Sequence, residues 1–263
     1  DFGKIAIPLI IICIISVLIV IKFLIKKLKI PTRMAYLISI GSTVCGTTAI
    51  MATAPVIKAN KNEVSYAIAN ITLFGILSML LYPYFANFYF DNQPLLIGLF
   101  LGTSIHETSQ VAAAGLIYEQ QFNSPETLNI ATVTKLIRNT FLIVMIPLFA
   151  FLYNRGKTNK IGYSILNIFP YFVLGFIGMI IIRNIGDQVF ISNSNYNWIE
   201  TINIIKFLSK IFLTMAMAAI GLTTNLKDIK SMGYKPFIVG FIAMLTVGIV
   251  CIITIESYLK FFI

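Results

Sequence analysis

Residues 5 to 25, IAIPLIIICIISVLIVIKFLI, carry a single charged side chain, Lys22. As a helix at about 1.5 Å per residue this stretch would be about 31 Å long, close to the roughly 30 Å hydrocarbon core of a bilayer. Seven more apolar segments follow, at about 34–57, 63–86, 94–118, 128–152, 163–184, 199–226 and 236–255. Polar breaks with turn chemistry separate them, among them KIPTR (29–33), DNQP (91–94) and NSPE (123–126). Period-two alternation is absent, which disfavours a β-barrel. With 58% hydrophobic and 11% charged residues, the chain reads as an all-α, polytopic membrane protein of eight spans, folded as one transmembrane domain over 1–263.

The net charge of +10 does not point to nucleic acid, because most of it lies in loops between the segments. The loops after segments one, three, five and seven hold eleven Lys and Arg residues and the opposite loops five, which places the first set in the cytoplasm. In that orientation segments two and four run parallel and segments two and seven antiparallel, as an inverted repeat of five helices requires. The chain opens on Asp1 just before a span, so it is expected to be a fragment whose N-terminus is missing. Cys13, Cys45 and Cys251 lie far apart in apolar segments, so neither a disulfide framework nor a zinc site is expected. No metal or cofactor is expected at all.

Segments two and four carry related motifs. GSTVCGTTAI (41–50) aligns without gaps on GTSIHETSQV (102–111), with two identical and five similar positions. The differences are Cys45 against His106, Gly46 against Glu107, and Ala49 against Gln110. Each motif starts seven or eight residues into its segment, so the two would lie at one depth, roughly 10 Å in. Glycine and clustered hydroxyls weaken a helix, and backbone freed from its ladder is tolerated in a membrane only against protein or a water-filled cavity. Broken helices lining a site are therefore expected, with half-helix N-termini that suit an anion. Small residues also serve close helix packing, and for segment two alone that reading stays open.

Ionisable residues at membrane depth cost about 2.5–3.5 kcal/mol on insertion scales and need a partner or a water cavity. Glu107 either pairs structurally with Lys135 or Arg138, or couples a proton or cation. His106 either binds substrate and shuttles protons, or is a satisfied buried histidine. Lys135 and Arg138, three apart in TVTKLIRN (132–139), share a helix face and suit an anion, with snorkelling the alternative for Lys135. Segment seven ends in GLTTN, where Thr223, Thr224 and Asn225 either line the site or simply enter the loop.

GSTVCGTTAIMATAPVIKA, AIANITLFGILSMLLYPYF, GTSIHETSQVAAAG, VTKLIRN and AMAAIGLTTNL, in this order, closely resemble the YeiH-like sulfate exporter family of bacterial membrane proteins. The similarity covers essentially the whole chain. It implies ten or eleven helices in the full protein and kinship with the bile-acid/sodium symporter and auxin-efflux carrier group. In that group two discontinuous helices cross near the membrane centre, which corresponds here to segments two and seven.

The leading expectation is a secondary transporter of the bacterial inner membrane, exporting a small anion, sulfate or sulfonate-like, by alternating access. Ser42, Thr43, Cys45, Gly46, Thr47, Thr48, Ser104, Thr108 and Gln110 would line its site, with His106, Lys135 and Arg138 supplying positive charge. Glu107, with His106, would couple H+ or Na+. A cation/proton antiporter built on Glu107 is the alternative, and an anion channel is a further one. An intramembrane enzyme with Cys45 as nucleophile and His106 as base is the remote one, since no third group is evident to orient the base; the expectation is no enzyme. The sequence leaves a homo-oligomer open.

Overall fold

The computed structural model describes residues 2–154, 171–191, 196–223 and 233–259. The described residues are helical with short turns and hold no strand. They fall into two units, one of residues 1–168 and 224–263, the other Phe169–Thr223.

Helix α1 (Phe2–Leu28) buries Ala6, Leu9, Ile10, Cys13, Ile14, Val17 and Ile21, a stripe at the helical period. Its other face exposes Ile7, Ile11, Ile15, Ile19 and Phe23. A helix apolar all round, half buried and half bare, is built for lipid rather than water. Segment two is two helices, α2 (Thr32–Thr43) and α3 (Gly46–Thr53). Helix α4 (Lys61–Tyr89) starts at a capping box, in which Asn60 Oδ1 accepts from the Glu63 N–H at 2.8 Å and Glu63 Oε2 from the Asn60 N–H at 2.9 Å.

Segment four is also two helices, α5 (Pro94–Ser104) and α6 (Thr108–Phe122). Helices α7 (Pro125–Thr140) and α8 (Leu142–Asn154) follow. Both α5 and α7 open on proline, whose missing N–H is no loss in a first turn. That is why segment five starts at 125 rather than at 128, where its apolar run begins. In the same unit α11 (Lys235–Leu259) packs against α1, α5 and α4, with Tyr82 of α4 donating to the Met244 carbonyl at 3.1 Å.

The second unit contains α9 (Tyr171–Gly186), a π turn (Asp187–Ile191) and α10 (Tyr196–Thr223). Asp187 ties the turn together, accepting from the Trp198 indole N–H at 2.9 Å and from Arg183 Nε at 2.6 Å. These bonds, the indole's first, hold its carboxyl below the usual carboxylate range.

Among the described residues, α1, α4, the α7–α8 run (Pro125–Tyr153) and α11 are long and apolar enough to cross a membrane. Segment four is discontinuous as well as segment two, which the family resemblance, pairing segments two and seven, does not imply. Segment seven is unbroken from Tyr196 to Thr223, and Thr224 and Asn225 lie outside the described residues.

The position of α7 decides the site. A Cβ on Gly102 of α5 would collide with the Ala131 carbonyl of α7, and one on Gly98 with the Ile130 side chain. On α6 a Cβ at Gly115 would meet Leu128 Cδ1 at 2.7 Å. Glycine on both neighbours lets the α7 backbone lie almost in contact with theirs. The deeper face of α7, carrying Lys135 and Arg138, is thereby brought against both breaks.

Candidate functional site

Helix α2, with 12 residues, and α5, with 11, are each about 17–18 Å long, too short to cross a hydrocarbon core of about 30 Å. Their ends therefore leave main-chain carbonyls inside the apolar layer. The two breaks fall in the same register of the gap-free alignment: Thr43 ends α2, and Ser104, its aligned partner, ends α5. Val44, Ile105 and His106 are wholly buried, and Cys45 and Glu107 nearly so. Irregular backbone at such a place must find hydrogen-bond partners in the protein.

Two side chains of α7 supply them. Arg138 donates from Nε to the Thr43 carbonyl at 2.9 Å, from Nη2 to that of Ser42 at 2.7 Å, and from Nη1 to those of Thr103 and, at 3.3 Å, Ile105. Lys135 Nζ donates to the carbonyls of Val44 and Ile105, both at 2.9 Å, and to that of His106. A helix C-terminus carries about half a negative charge and favours a cation. Lys135 and Arg138 thus cap two half-helices at once. Lys135 does not snorkel, being 0% exposed.

The N-terminus of α3 receives a carboxylate. Glu107, at the N-cap position of α6, does not cap its own helix; its Oε1 accepts from the Thr47 N–H of α3 at 3.2 Å and from the Thr47 hydroxyl. Gly46 makes the approach feasible, since it sits at φ +47° and a Cβ there would meet Glu107 Cγ at 2.5 Å. Glu107 forms no ion pair with Lys135 or Arg138, although the sequence allowed one. Its own attraction is to the positive end of a helix.

Around this frame lie buried polar atoms with no protein hydrogen-bond partner. They include both ring nitrogens of His106, Glu107 Oε2, Ser42 Oγ, Thr103 Oγ1, Gln110 Oε1 and Asn139 Oδ1. Ser42 and Thr103 occupy aligned positions of the two motifs, so the lining repeats as the breaks do. Buried polar atoms are nearly always satisfied by protein or water, and a cluster of orphans marks a wet or ligand-binding place.

The residues singled out in the sequence divide into two groups. Cys45, Gly46, Thr47, His106, Glu107, Thr108, Lys135 and Arg138 are at the breaks. Cys45 Sγ lies 3.7 Å from Thr108 Oγ1, which also accepts from Asn139 Nδ2 at 3.0 Å. Thr43 and Ser104 turn their hydroxyls back to carbonyls of their own helices, Ser39 and Ile40 for the first and Phe100 for the second. Thr48 is exposed, and Gln110 donates to the Thr72 carbonyl of α4 at 3.2 Å. Thr223 ends α10 in the other unit. Thr103 and Asn139 were missed by sequence reasoning, though Asn139 follows Lys135 by four residues and Thr103 lies inside the quoted motif. Among the described residues no three His, Cys, Asp or Glu side chains gather into a metal-holding group.

The comparisons with known proteins agree with a membrane chain. A UPF0324 membrane protein of Fusobacterium nucleatum is 35% identical over 258 residues, covering 95% of this chain and 74% of the relative. One from Streptococcus agalactiae is 37% identical over 243 residues, covering 92% and 70%. Another, from Streptococcus pneumoniae, is 34% identical over 248 residues, covering 93% and 70%. No solved structure matches the chain. The family described as Conserved hypothetical protein 698 matches residues 1–240, and with such relatives the chain belongs to that family of multi-pass membrane proteins.

Proposed function

We propose that this protein is a secondary transporter of the bacterial inner membrane that exports a small anion, sulfate or sulfonate-like, by alternating access. One observation carries the reading: two helix breaks in the same register meet at a buried polar centre whose formal charge, two cations against one carboxylate, is positive. A permanent buried charge is costly and is kept where it has work to do. The likeness to the YeiH-like exporters supports the anion and, with it, eight spans arranged as inverted five-helix repeats. Kinship with the bile-acid/sodium symporter group belongs to the same reading. The protein on this account is a carrier, not an enzyme.

The roles follow from the contacts. Lys135 and Arg138 hold the half-helices together and supply the positive field from behind the carbonyls. Direct contact with the anion falls to donors whose bonds are free: His106 and Ser42. Counterflow of labelled sulfate and small sulfonates into proteoliposomes holding the full-length protein tests this, with His106→Ala alongside. Saturable uptake is expected, reduced about tenfold or more in the variant by loss of a hydrogen bond to a charged group. Equal uptake in both proteins would place the anion elsewhere.

A second reading, a cation/proton antiporter, is favoured by the buried oxygens without donors at Glu107, Gln110 and Asn139. It requires sodium or potassium flux that Glu107→Gln abolishes and sulfate leaves unchanged.

A further inference from the structure

The seat that Glu107 occupies is one an anion would take. Its Oε1 accepts from both the main-chain N–H and the hydroxyl of Thr47, in the first turn of α3, an eight-residue helix (Gly46–Thr53). The glycine before Thr47 leaves room for the Glu107 side chain, whose Cγ a Cβ there would meet at 2.5 Å. Glu107 is 4% exposed, yet its second oxygen, Oε2, has no partner, and the neighbouring His106 ring is wholly buried with both nitrogens unpartnered. A carboxylate held purely for structure would have its second oxygen satisfied as well.

We propose that deprotonated Glu107 is a tethered stand-in for the transported anion. It fills the N-terminus of α3 when no substrate is bound, and it yields that place, as the neutral acid, to an oxygen of the anion. The proposal rests on the anion-carrier reading above and adds the coupling device to it. Two anionic oxygens cannot share one pair of donors, so the anion binds only when Glu107 has taken a proton from water. The neutral acid then offers an O–H to the anion in place of an acceptor. One anion and one proton enter the site together, and the pair leaves together.

The charged or titratable groups around this seat, among the described residues, are Lys135 and Arg138 on α7, Cys45 at the first break and His106 at the second. The two cations turn their donors to main-chain carbonyls, so neither competes with Thr47 for Glu107.

The test counts protons. Purified full-length protein in weakly buffered detergent solution is titrated with labelled sulfate while a pH indicator follows proton uptake. The wild type is expected to take up about one proton per sulfate bound, so its affinity for sulfate falls as the pH is raised. Glu107→Gln is expected to bind sulfate with no proton uptake and no pH dependence. Thr47→Val, which keeps shape and loses a donor that Glu107 and the anion use in turn, is expected to leave the proton count unchanged. Wild-type binding without proton uptake overturns the proposal and leaves the anion reading standing. So does a Glu107→Gln protein that still takes up a proton. If the wild type binds no sulfate, the anion reading falls and this proposal with it.

Discussion

Replacing Arg138 with alanine will cost the full-length protein most of its stability, and little monodisperse material will be recovered in mild detergent. The substitution removes every donor from the carbonyls of Ser42, Thr43 and Thr103. A buried acceptor left without a partner costs about 1–3 kcal/mol. Relief of the buried charge offsets part of this, since a cation out of water carries a penalty of several kcal/mol. A net loss of about 3 kcal/mol or more is expected against a typical total of about 5–15 kcal/mol. Arg138→Lys, which restores the charge without the planar fork, should recover only part of the loss. Thermal unfolding of the three proteins in one detergent measures the order.

Lys135→Met should be the next most damaging change, at about 2–4 kcal/mol, because it orphans two carbonyls, those of Val44 and His106. The Ile105 carbonyl is shared: Lys135 and Arg138 both donate to it, so either variant alone leaves it one partner. The double variant takes away both. Its destabilisation should therefore exceed the sum of the two singles by about 1–3 kcal/mol, the cost of that one added orphan. Strict additivity would mean that the two side chains act on separate structures.

These expectations change what a transport assay can use. From the sequence, Arg138→Ala looks like a clean way to remove an anion contact. With the guanidinium capping α2 and α5, a loss of transport in that variant would report a collapsed site. His106→Ala leaves the Lys135 and Arg138 caps in place and separates binding from folding.

The helical segments and the two breaks were legible because both are written in local chemistry. Apolar runs near 20 residues set the segments, and the glycine with paired hydroxyls at 41–48 and 102–109 marked where the ladder would open. The gap-free likeness of the two motifs foretold that the breaks would fall in one register. What the capping side chains do was not legible. Lys135 and Arg138 three apart on one face are equally consistent with an anion clamp, a snorkel or a cap. The choice depends on which backbone α7 reaches, and that is set by Gly98, Gly102 and Gly115 on other helices. Glu107 was hidden for a similar reason. Its alignment with Gly46 records a difference between two motifs, whereas in the structure the glycine is the space the glutamate fills.

Thr48 and Gln110 show the limit from the other side. Both belong to the motifs by position, but a helix turns about 100° per residue, so consecutive polar residues cannot all face one centre. Thr48 faces outward and Gln110 reaches α4.

The central claim, that two helix breaks face each other across a site for a small anion, is tested most directly by a cross-link. Thr108→Cys is introduced beside the native Cys45, whose Sγ lies 3.7 Å from the threonine hydroxyl, with Cys13 and Cys251 replaced by alanine. A protease site in the turn at 91–93 lets the linkage be read as two fragments that stay joined after cleavage. Mild oxidation should join them rapidly, and sulfate bound at the breaks should slow the reaction. Fragments that separate fully after oxidation, in protein shown to be folded, would mean that the breaks do not meet, and the account would fail at its base.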